Sequence, residues 1–368
     1  MYTALINGSI LNGREIITGK DLLLTGGKIS GIKESGSYPE ATKIVNCHGN
    51  YIAPGLIDLQ IAGSGGYLFS DSPSAEKLAT ITESIVKSGT TGFLIVLPTN
   101  TFDVYSKAFR IVRENPHPAL LGLHLEGPYL NPERPGAHDR SLIRKPGLRE
   151  IDDLLKEANG VVKMITIAPE ICDAEFIRFL GSHGIIVAAG HSNATFREAV
   201  AGFANGVRSV THLFNAMSQL HHRDPGLPGA AFVTENVYAS IIADGIHVDY
   251  NMLSIAKKIM SERLYLVSDA VEESSEGSYR HVRQADRYTL PDGTLSGSGL
   301  TMMKAVKNCV ENADIKVDEA MRMASGYSAK LMNFNDRGLI VPGYRADIIE
   351  FDNKFELKRI FISGEEVK

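Results

Sequence analysis

The stretch His124-Leu125-Glu126-Gly127-Pro128-Tyr129 decides the fold, because it ends a short apolar run with a metal-capable carboxylate and a Gly-Pro turn. Two similar stretches follow, Ala189-Gly190-His191-Ser192 and Val210-Thr211-His212. A fourth places Asp269 shortly after the apolar run Leu264-Tyr265-Leu266-Val267. Short apolar runs of this kind are typical of strands buried in a parallel sheet. The four polar residues are therefore predicted to lie at four strand ends, which is the layout of an active site.

The middle of the chain alternates strand-like segments with helical patterns, such as those at 75–88 and 194–205. Eight candidate strands are predicted near Leu56–Gln60, Gly92–Leu97, Leu120–Leu125, Val161–Ile167, Gly184–Ala189, Ser209–Thr211, Tyr238–Ala243 and Arg263–Val267. Eight alternating βα units favour an α/β fold with a closed (β/α)8 TIM-like barrel. In such a barrel the catalytic side chains lie at the C-terminal ends of the strands.

Both ends of the chain have a different pattern from the middle. Residues 1–54 contain short alternating strands separated by glycine, and strand-like stretches recur at 338–343, 346–351 and 359–362. We therefore expect a small β-sandwich domain built from both termini, residues 1–54 plus 337–368. The barrel would then comprise residues 55–336.

Composition argues against several classes of protein. The chain has a net charge of -5 and so lacks the basic character of a nucleic-acid-binding protein, and a nucleic-acid partner is not expected. No apolar run of 18 residues and no export signal are visible, so we expect no membrane partner and a cytoplasmic location. The three cysteines, Cys47, Cys172 and Cys309, are far apart in sequence, odd in number and in no C-x-x-C motif, so we expect free thiols in a reducing compartment and no disulfide framework.

Glu126, His191 and His212 form the strongest chemical signal in the chain. One carboxylate and two imidazoles are a usual ligand set for a catalytic divalent metal that leaves a position open for water. Each histidine alone would more often be a hydrogen-bonded core residue, so the prediction rests on the three together. Asp269 is predicted to be a general acid/base, with a helix N-cap as the alternative.

The loops after the strands supply further candidates. His138 and His247 follow strands three and seven and are predicted to face the site, although exposed loop histidines are the alternative. Arg223 is a candidate for binding an anion such as phosphate, or else a solvated charge. The charged stretch between Asp269 and Gly293 is predicted to form a loop over the site.

Together these motifs resemble the N-acetylglucosamine-6-phosphate deacetylases of the amidohydrolase superfamily. The resemblance runs in order along nearly the whole chain. It is carried by Pro54-Gly55-Leu56-Ile57-Asp58, His124-Leu125-Glu126-Gly127-Pro128, Gly190-His191-Ser192-Asn193-Ala194, Thr211-His212-Leu213-Phe214-Asn215-Ala216-Met217, Pro225-Gly226-Leu227, Ala243-Asp244-Gly245-Ile246-His247, Ser268-Asp269-Ala270 and Gly293-Thr294-Leu295-Ser296-Gly297-Ser298.

The resemblance implies hydrolysis of the N-acetyl group of a phosphorylated amino sugar. It implies one divalent metal ion per chain, with zinc favoured over iron, cobalt or manganese. Glu126, His191 and His212 would hold the ion, and Asp269 would be the acid/base. A homodimer is also implied, with Arg223 reaching the neighbouring subunit's site. The implied substrate contacts are Ala137, His138, Asn215, Ala216, Arg223, His247, Leu295, Ser296 and Gly297.

One departure concerns the end of the first barrel strand. Many amidohydrolases have His-x-His there, completing a second metal site, whereas this chain has Gln60-Ile61-Ala62. We therefore expect a single metal ion with Gln60 beside a water molecule. Three alternatives remain open at this point: the galacto epimer as substrate, an unphosphorylated cyclic amide, and a non-catalytic barrel.

Overall fold

The computed structural model describes residues 1–274, 277, 279–285 and 287–368. The N-terminal part of the chain consists of short strands. They are β1 (Tyr2–Ile6), β2 (Ser9–Leu11), β3 (Ile16–Ile17), β4 (Lys20–Thr25), β5 (Lys28–Glu34), β6 (Lys43–Asn46) and β7 (Tyr51–Pro54). Four of them form a sheet in the order β5-β4-β1-β6. The alternating polar and apolar pattern of this region thus gives the predicted strands.

The middle of the chain contains the barrel strands and several short hairpin strands. In chain order these are β8 (Leu56–Ile61), β9 (Gly63–Ser64), β10 (Tyr67–Leu68), β11 (Thr90–Pro98), β12 (Leu120–Glu126), β13 (Val162–Ile167), β14 (Ile186–Ala189), β15 (Val207–Val210), β16 (Tyr238–Ile241), β17 (Leu264–Leu266), β18 (Val282–Arg283) and β19 (Tyr288–Thr289). Every residue of β11 is buried, as expected for a parallel strand covered on both faces.

Eight of these strands form one parallel sheet in the order β8, β11, β12, β13, β14, β15, β16 and β17. The first and last strands then meet just beyond β17, where Ile61 and Ala270 form a parallel bridge. The Asp269 N–H also donates to the Gln60 carbonyl at 2.9 Å across this seam. All eight predicted strands are present, and the predicted (β/α)8 barrel is confirmed.

Helices pack around the barrel. They are α1 (Ala75–Lys87), α2 (Phe102–Glu114), α3 (Leu148–Ala158), α4 (Ala174–Ser182), α5 (Phe196–Ala204), α6 (Gly226–Val233), α7 (Tyr250–Met260), α8 (Met302–Asn312), α9 (Val317–Met323) and α10 (Gly326–Leu331). The helix after His191 begins at a capping box, in which Thr195 and Glu198 bond each other's backbone N–H. Within the described ranges, no helix is both long and apolar enough to cross a bilayer.

The C-terminal strands complete the second terminal sheet. β20 (Ile348–Phe351), β21 (Leu357–Ile362) and β22 (Glu365–Glu366) pair in the order β22-β21-β20-β7-β2-β3. The predicted strand at 338–343 is wrong, because this stretch is irregular and Pro342 has no N–H to donate to a sheet. Ile340 is nevertheless buried in the core of the terminal sheets.

The terminal sheets have an apolar core of their own. Its buried residues come from both ends of the chain: Leu5, Ile10, Leu22, Leu24, Ile29, Val45, Cys47, Ile52, Ile340, Ala346, Ile348 and Phe361. This separate core supports, as a proposal, the division into a terminal domain of residues 1–54 plus 337–368 and a barrel domain of residues 55–336.

Candidate metal centre and active site

Three strand ends bring Glu126, His191 and His212 together. Glu126 is the last residue of β12, and His191 and His212 each lie two residues beyond the ends of β14 and β15, respectively. His191, His212 and Asp269 all have left-handed backbone conformations, with φ values of 47°, 33° and 51°. Such conformations are costly for residues other than glycine and cluster at functional sites. The local backbone is therefore bent to aim these side chains at one point.

The three candidate ligand atoms are spaced as a metal ion requires. Glu126 Oε1 lies 3.3 Å from His191 Nε2 and 3.0 Å from His212 Nε2, and the two nitrogens are 3.1 Å apart. Metal–ligand bonds of about 2.1 Å in a tetrahedral site put neighbouring ligands about 3.4 Å apart. Among the described residues, Glu126, His191 and His212 are the one group of three or more histidine, cysteine, aspartate or glutamate side chains whose ligand atoms all lie within 4.8 Å of one another.

The hydrogen bonding of His191 also fits a metal ligand. His191 Nδ1 lies 3.1 Å from the Arg134 carbonyl, which can only accept, so Nδ1 carries the proton and the Nε2 lone pair is free. His212 contributes Nε2 to the cluster, and its other ring nitrogen, Nδ1, is buried without a hydrogen-bond partner in the described part of the chain, so this second bond is present in His191 and not in His212. Two imidazole nitrogens and one carboxylate oxygen converging in this way are satisfied together by a cation.

The charges of this cluster are strongly perturbed. Burial would raise the pKa of Glu126, but the close side-chain contacts with His138, His191 and His212 outweigh it and hold the pKa well below its usual range. Burial and the neighbouring His138 lower the pKa of His191 to about 4, which leaves that imidazole neutral. Burial opposes protonation of His212, yet its bond to Glu126 raises its pKa overall. The carboxylate is thus ionised and ready to bind a cation.

Asp269 and Gln60 lie beside this cluster. Gln60 Nε2 donates to Glu126 Oε1 and to Asp269 Oδ1, both at 3.0 Å, so one amide group links the ligand oxygen to the second carboxylate. Burial, followed by the charge of Glu126, raises the pKa of Asp269. A carboxylate with raised proton affinity next to a metal site is suited to acid/base work.

His138 is held with one ring nitrogen towards the site. The Thr99 N–H donates to His138 Nδ1 at 3.3 Å, so this nitrogen is an acceptor and the proton is assigned to Nε2. His138 Nε2 lies 3.5 Å from Glu126 Oε2. The Tyr279 hydroxyl donates to the Thr99 carbonyl at 2.6 Å and closes this side of the site. His138 therefore presents an N–H donor to the space above the cluster.

His124 shows what a structural histidine looks like here. It belongs to the same motif as Glu126, but its Nδ1 donates to the Leu59 carbonyl at 3.0 Å and its Nε2 bonds Thr166 Oγ1 at 2.7 Å. Both ring nitrogens are therefore used inside the barrel. His124 supports the strand that carries Glu126 and has no free nitrogen for a ligand.

A cavity of about 380 Å³ lies over the cluster. A volume of this size is in the range of small-molecule sites. It is lined by twelve of the predicted site residues: Glu126, Ala137, His138, His191, His212, Asn215, Ala216, His247, Asp269, Leu295, Ser296 and Gly297. Gln60 lies buried beneath it, whereas Arg223 is exposed and does not line the cavity of its own chain.

Several residues that line the cavity were not predicted from sequence. Arg134, Tyr279 and His281 lie on loops without a motif, so no pattern in the sequence identifies them. Tyr279 and His281 belong to the predicted loop between Asp269 and Gly293, and the described part of this loop does border the site. Ser275 and Glu276, which are part of the same prediction, lie outside the described residues.

The fold and the site together define a class of protein. A buried Glu/His/His cluster beside an acid, at the C-terminal rim of a (β/α)8 barrel, is the arrangement of a metal-assisted hydrolase. A protein-family model described as "Amidohydrolase family" matches residues 51–367 of the sequence. The chain therefore belongs to the amidohydrolase family.

Its relatives identify the branch of this family. The N-acetylglucosamine-6-phosphate deacetylase of Haemophilus influenzae is 34% identical over 379 residues, covering 99% of each chain. The crystal structure of the enzyme of that name from Pasteurella multocida matches with a TM-score of 0.96, 33% identity and complete coverage of both chains. An N-acetylgalactosamine-6-phosphate deacetylase from a Shewanella strain is 32% identical, covering 85% of this chain and 82% of the relative.

Proposed function

We propose that this protein hydrolyses the N-acetyl group of N-acetylglucosamine 6-phosphate, giving glucosamine 6-phosphate and acetate. The observation that carries the proposal is the Glu126, His191 and His212 cluster beside Asp269, all lining one cavity. The enzyme would act in amino-sugar breakdown. A cytoplasmic location remains a prediction from the sequence.

Glu126, His191 and His212 are proposed to hold one divalent metal ion, with zinc favoured by the nitrogen and oxygen donors and iron, cobalt or manganese as alternatives. When bound, such an ion lowers the pKa of water and polarises a carbonyl oxygen. The single-ion proposal is supported by Gln60 and Ala62, which stand where a second site would need two histidines.

The chain's own residues are proposed to move the protons. Asp269 takes a proton from the attacking water and passes it to the nitrogen of the cleaved amide, which leaves as the amine. The His138 Nε2–H donates to the acetyl carbonyl oxygen as negative charge develops there. Gln60 keeps Asp269 in position through its 3.0 Å hydrogen bond.

The remaining cavity residues are proposed to bind the sugar phosphate. Asn215 and Ala216 would meet the phosphate, with His247 beside them, and Leu295, Ser296 and Gly297 would line the sugar. The Nδ1 atom of His247 is held by Asp244 at 2.6 Å, which leaves its other nitrogen for a ligand.

The direct test is acetate release from N-acetylglucosamine 6-phosphate, with the unphosphorylated sugar and the galacto epimer in parallel. Turnover confined to the gluco phosphate supports the proposal. Preferential turnover of the galacto phosphate would favour the second candidate, which the Shewanella relative's name motivates. No release of acetate from any of the three by metal-loaded protein would refute the substrate assignment. Metal analysis that gives two firmly bound ions per chain would refute the single-ion site.

We also propose a homodimer in which Arg223 reaches the partner's cavity. The support is that Arg223 is exposed, that Leu220, three positions earlier in the chain, is 44% exposed, and that Arg223 does not line its own cavity. Mixing Arg223→Ala protein with Asp269→Asn protein tests this arrangement, because mixed dimers would contain one complete site. Recovery of activity on mixing supports the shared site, and no recovery despite subunit exchange refutes it.

A further inference from the structure

Arg134 lines the cavity, and its side chain has no part in the chemistry described so far. It follows β12 in the loop that also carries Ala137 and His138. Among the described residues that line the cavity, it is the one lysine or arginine. The carboxylates of Glu126, Glu133 and Asp269 also line this space. Among the described lining residues, Arg134 is therefore the side chain that carries a permanent positive charge to attract a phosphate into a cavity with three carboxyl groups.

The side chain of Arg134 is held in place by Asn193. Arg134 Nε donates to Asn193 Oδ1 at 2.9 Å, while the amide of the same asparagine donates to Glu133 Oε2 at 2.9 Å. Asn193 thus binds the guanidinium through its oxygen and the carboxylate through its nitrogen. Within the described residues, the hydrogen bond of the Arg134 side chain is made by Nε, so its two Nη groups remain available to bind an anion.

The position of Asn193 places Arg134 at a definite end of the cavity. Ser192, the preceding residue, donates its N–H to the Ala216 carbonyl at 3.2 Å. A Cβ atom built on Gly136 would lie 3.5 Å from Ala216 Cβ, so the loop of Arg134 also packs against this segment. Arg134, Asn215 and Ala216 therefore line one cavity from loops that contact each other, and the phosphate is proposed to bind at Asn215 and Ala216.

We propose that Arg134 binds the substrate's phosphate from within the same chain and so contributes to the preference for phosphorylated sugars. This inference rests on the proposed function and adds to it a residue that acts in its own subunit's site. It also differs from the role proposed for Arg223, which would act across the subunit interface.

The test compares Arg134→Gln and Arg134→Lys with Arg140→Gln, which removes an exposed arginine of the same loop that does not line the cavity. The measured quantity is kcat/KM for N-acetylglucosamine 6-phosphate divided by kcat/KM for N-acetylglucosamine. Since a hydrogen bond to a charged group contributes about 1.5–3 kcal/mol, Arg134→Gln should lower this ratio by roughly 10- to 100-fold, mainly through KM. Arg134→Lys should lose less, and Arg140→Gln should keep the ratio.

Three results would overturn the inference. The first is an unchanged ratio in Arg134→Gln. The second is an equal fall in Arg140→Gln, which would indicate only a long-range effect of charge. The third is a loss that follows a fall in bound metal, because Arg134 would then act through its backbone bond to His191. Metal analysis of each variant separates these cases.

Failure of the proposed function would look different, since the unaltered protein would then release acetate from neither sugar. In that case calorimetric titration of metal-loaded protein with inorganic phosphate still tests Arg134. Weaker phosphate binding by Arg134→Gln than by Arg140→Gln supports the inference, and equal affinities overturn it.

Discussion

The side-chain amide of Gln60 donates hydrogen bonds to two carboxylates, Glu126 and Asp269. Replacing Gln60 by leucine therefore tests whether this amide lowers the pKa of Asp269, the proposed acid/base. Gln60 is 1% exposed, and its Nε2 lies 3.0 Å from both Glu126 Oε1 and Asp269 Oδ1. Leucine is also buried readily and is of similar size, but it donates no hydrogen bond. The substitution therefore removes the two bonds with little change in packing.

The expected magnitude follows from the bond to Asp269. A hydrogen bond to a charged group contributes about 1.5–3 kcal/mol, which corresponds to roughly one to two pKa units. An N–H donor stabilises the ionised carboxylate, so its loss raises the pKa of Asp269 further above the usual range. Asp269 must be ionised to take a proton from water, so the acidic limb of the rate profile should move to higher pH.

The assay is kcat/KM against pH with metal kept saturating. In Gln60→Leu the acidic limb should move to higher pH by about one to two pH units. At pH values below the limb kcat/KM should fall roughly 10- to 100-fold, and above the limb it should return to the value of the unaltered protein. Gln219→Leu, which changes an exposed glutamine, should leave the limb in place. A uniform loss at every pH with an unmoved limb would show that Gln60 does not act on the charge of Asp269.

Three further predictions follow from the site and the barrel seam. Asp269→Asn should lower kcat by roughly 10²- to 10⁴-fold without changing bound metal measured by elemental analysis, and retained turnover would remove Asp269 from the mechanism. Removing the metal with a chelator should abolish acetate release and lower the melting temperature, with both restored by added zinc; activity that survives in metal-free protein would contradict the metal site. Burial raises the pKa of Asp58 to about 7, so the unaltered protein should lose stability relative to Asp58→Asn as pH rises from about 4 to 7, by about 1.4 kcal/mol per unit. Urea unfolding at several pH values measures this slope, and a constant difference between the two proteins would contradict the raised pKa.

Much of the barrel could be predicted because its signals are local. Each strand is a short apolar run, and the polar residue that follows it is adjacent in sequence, so Glu126, His191 and His212 could be assigned to one rim before their distances were known. The helix at Phe196–Ala204 likewise has its start signal in Thr195 and Glu198. Closed parallel barrels then bring all strand ends to the same face.

The rest depends on contacts between distant parts of the chain. The left-handed backbone of His191, His212 and Asp269 is not encoded by glycine, so tertiary packing must impose it. Arg134 and Tyr279 reach the cavity from irregular loops, whose path no periodicity predicts. The stretch at 338–343 looks like a strand because of its apolar residues, although Pro342 prevents regular pairing.

The seam that closes the barrel has a consequence for how the protein acquires activity. Gln60 and Asp269 face each other across it, yet 209 positions of chain separate them. Contacts of such long sequence separation form late, since the entropy of closing a large loop must be overcome first. A chain that has folded only its first seven barrel strands would already contain Glu126, His191 and His212, but would still lack its proton carrier. Metal uptake and catalysis should therefore appear at different stages of refolding, with catalysis reporting the final closure.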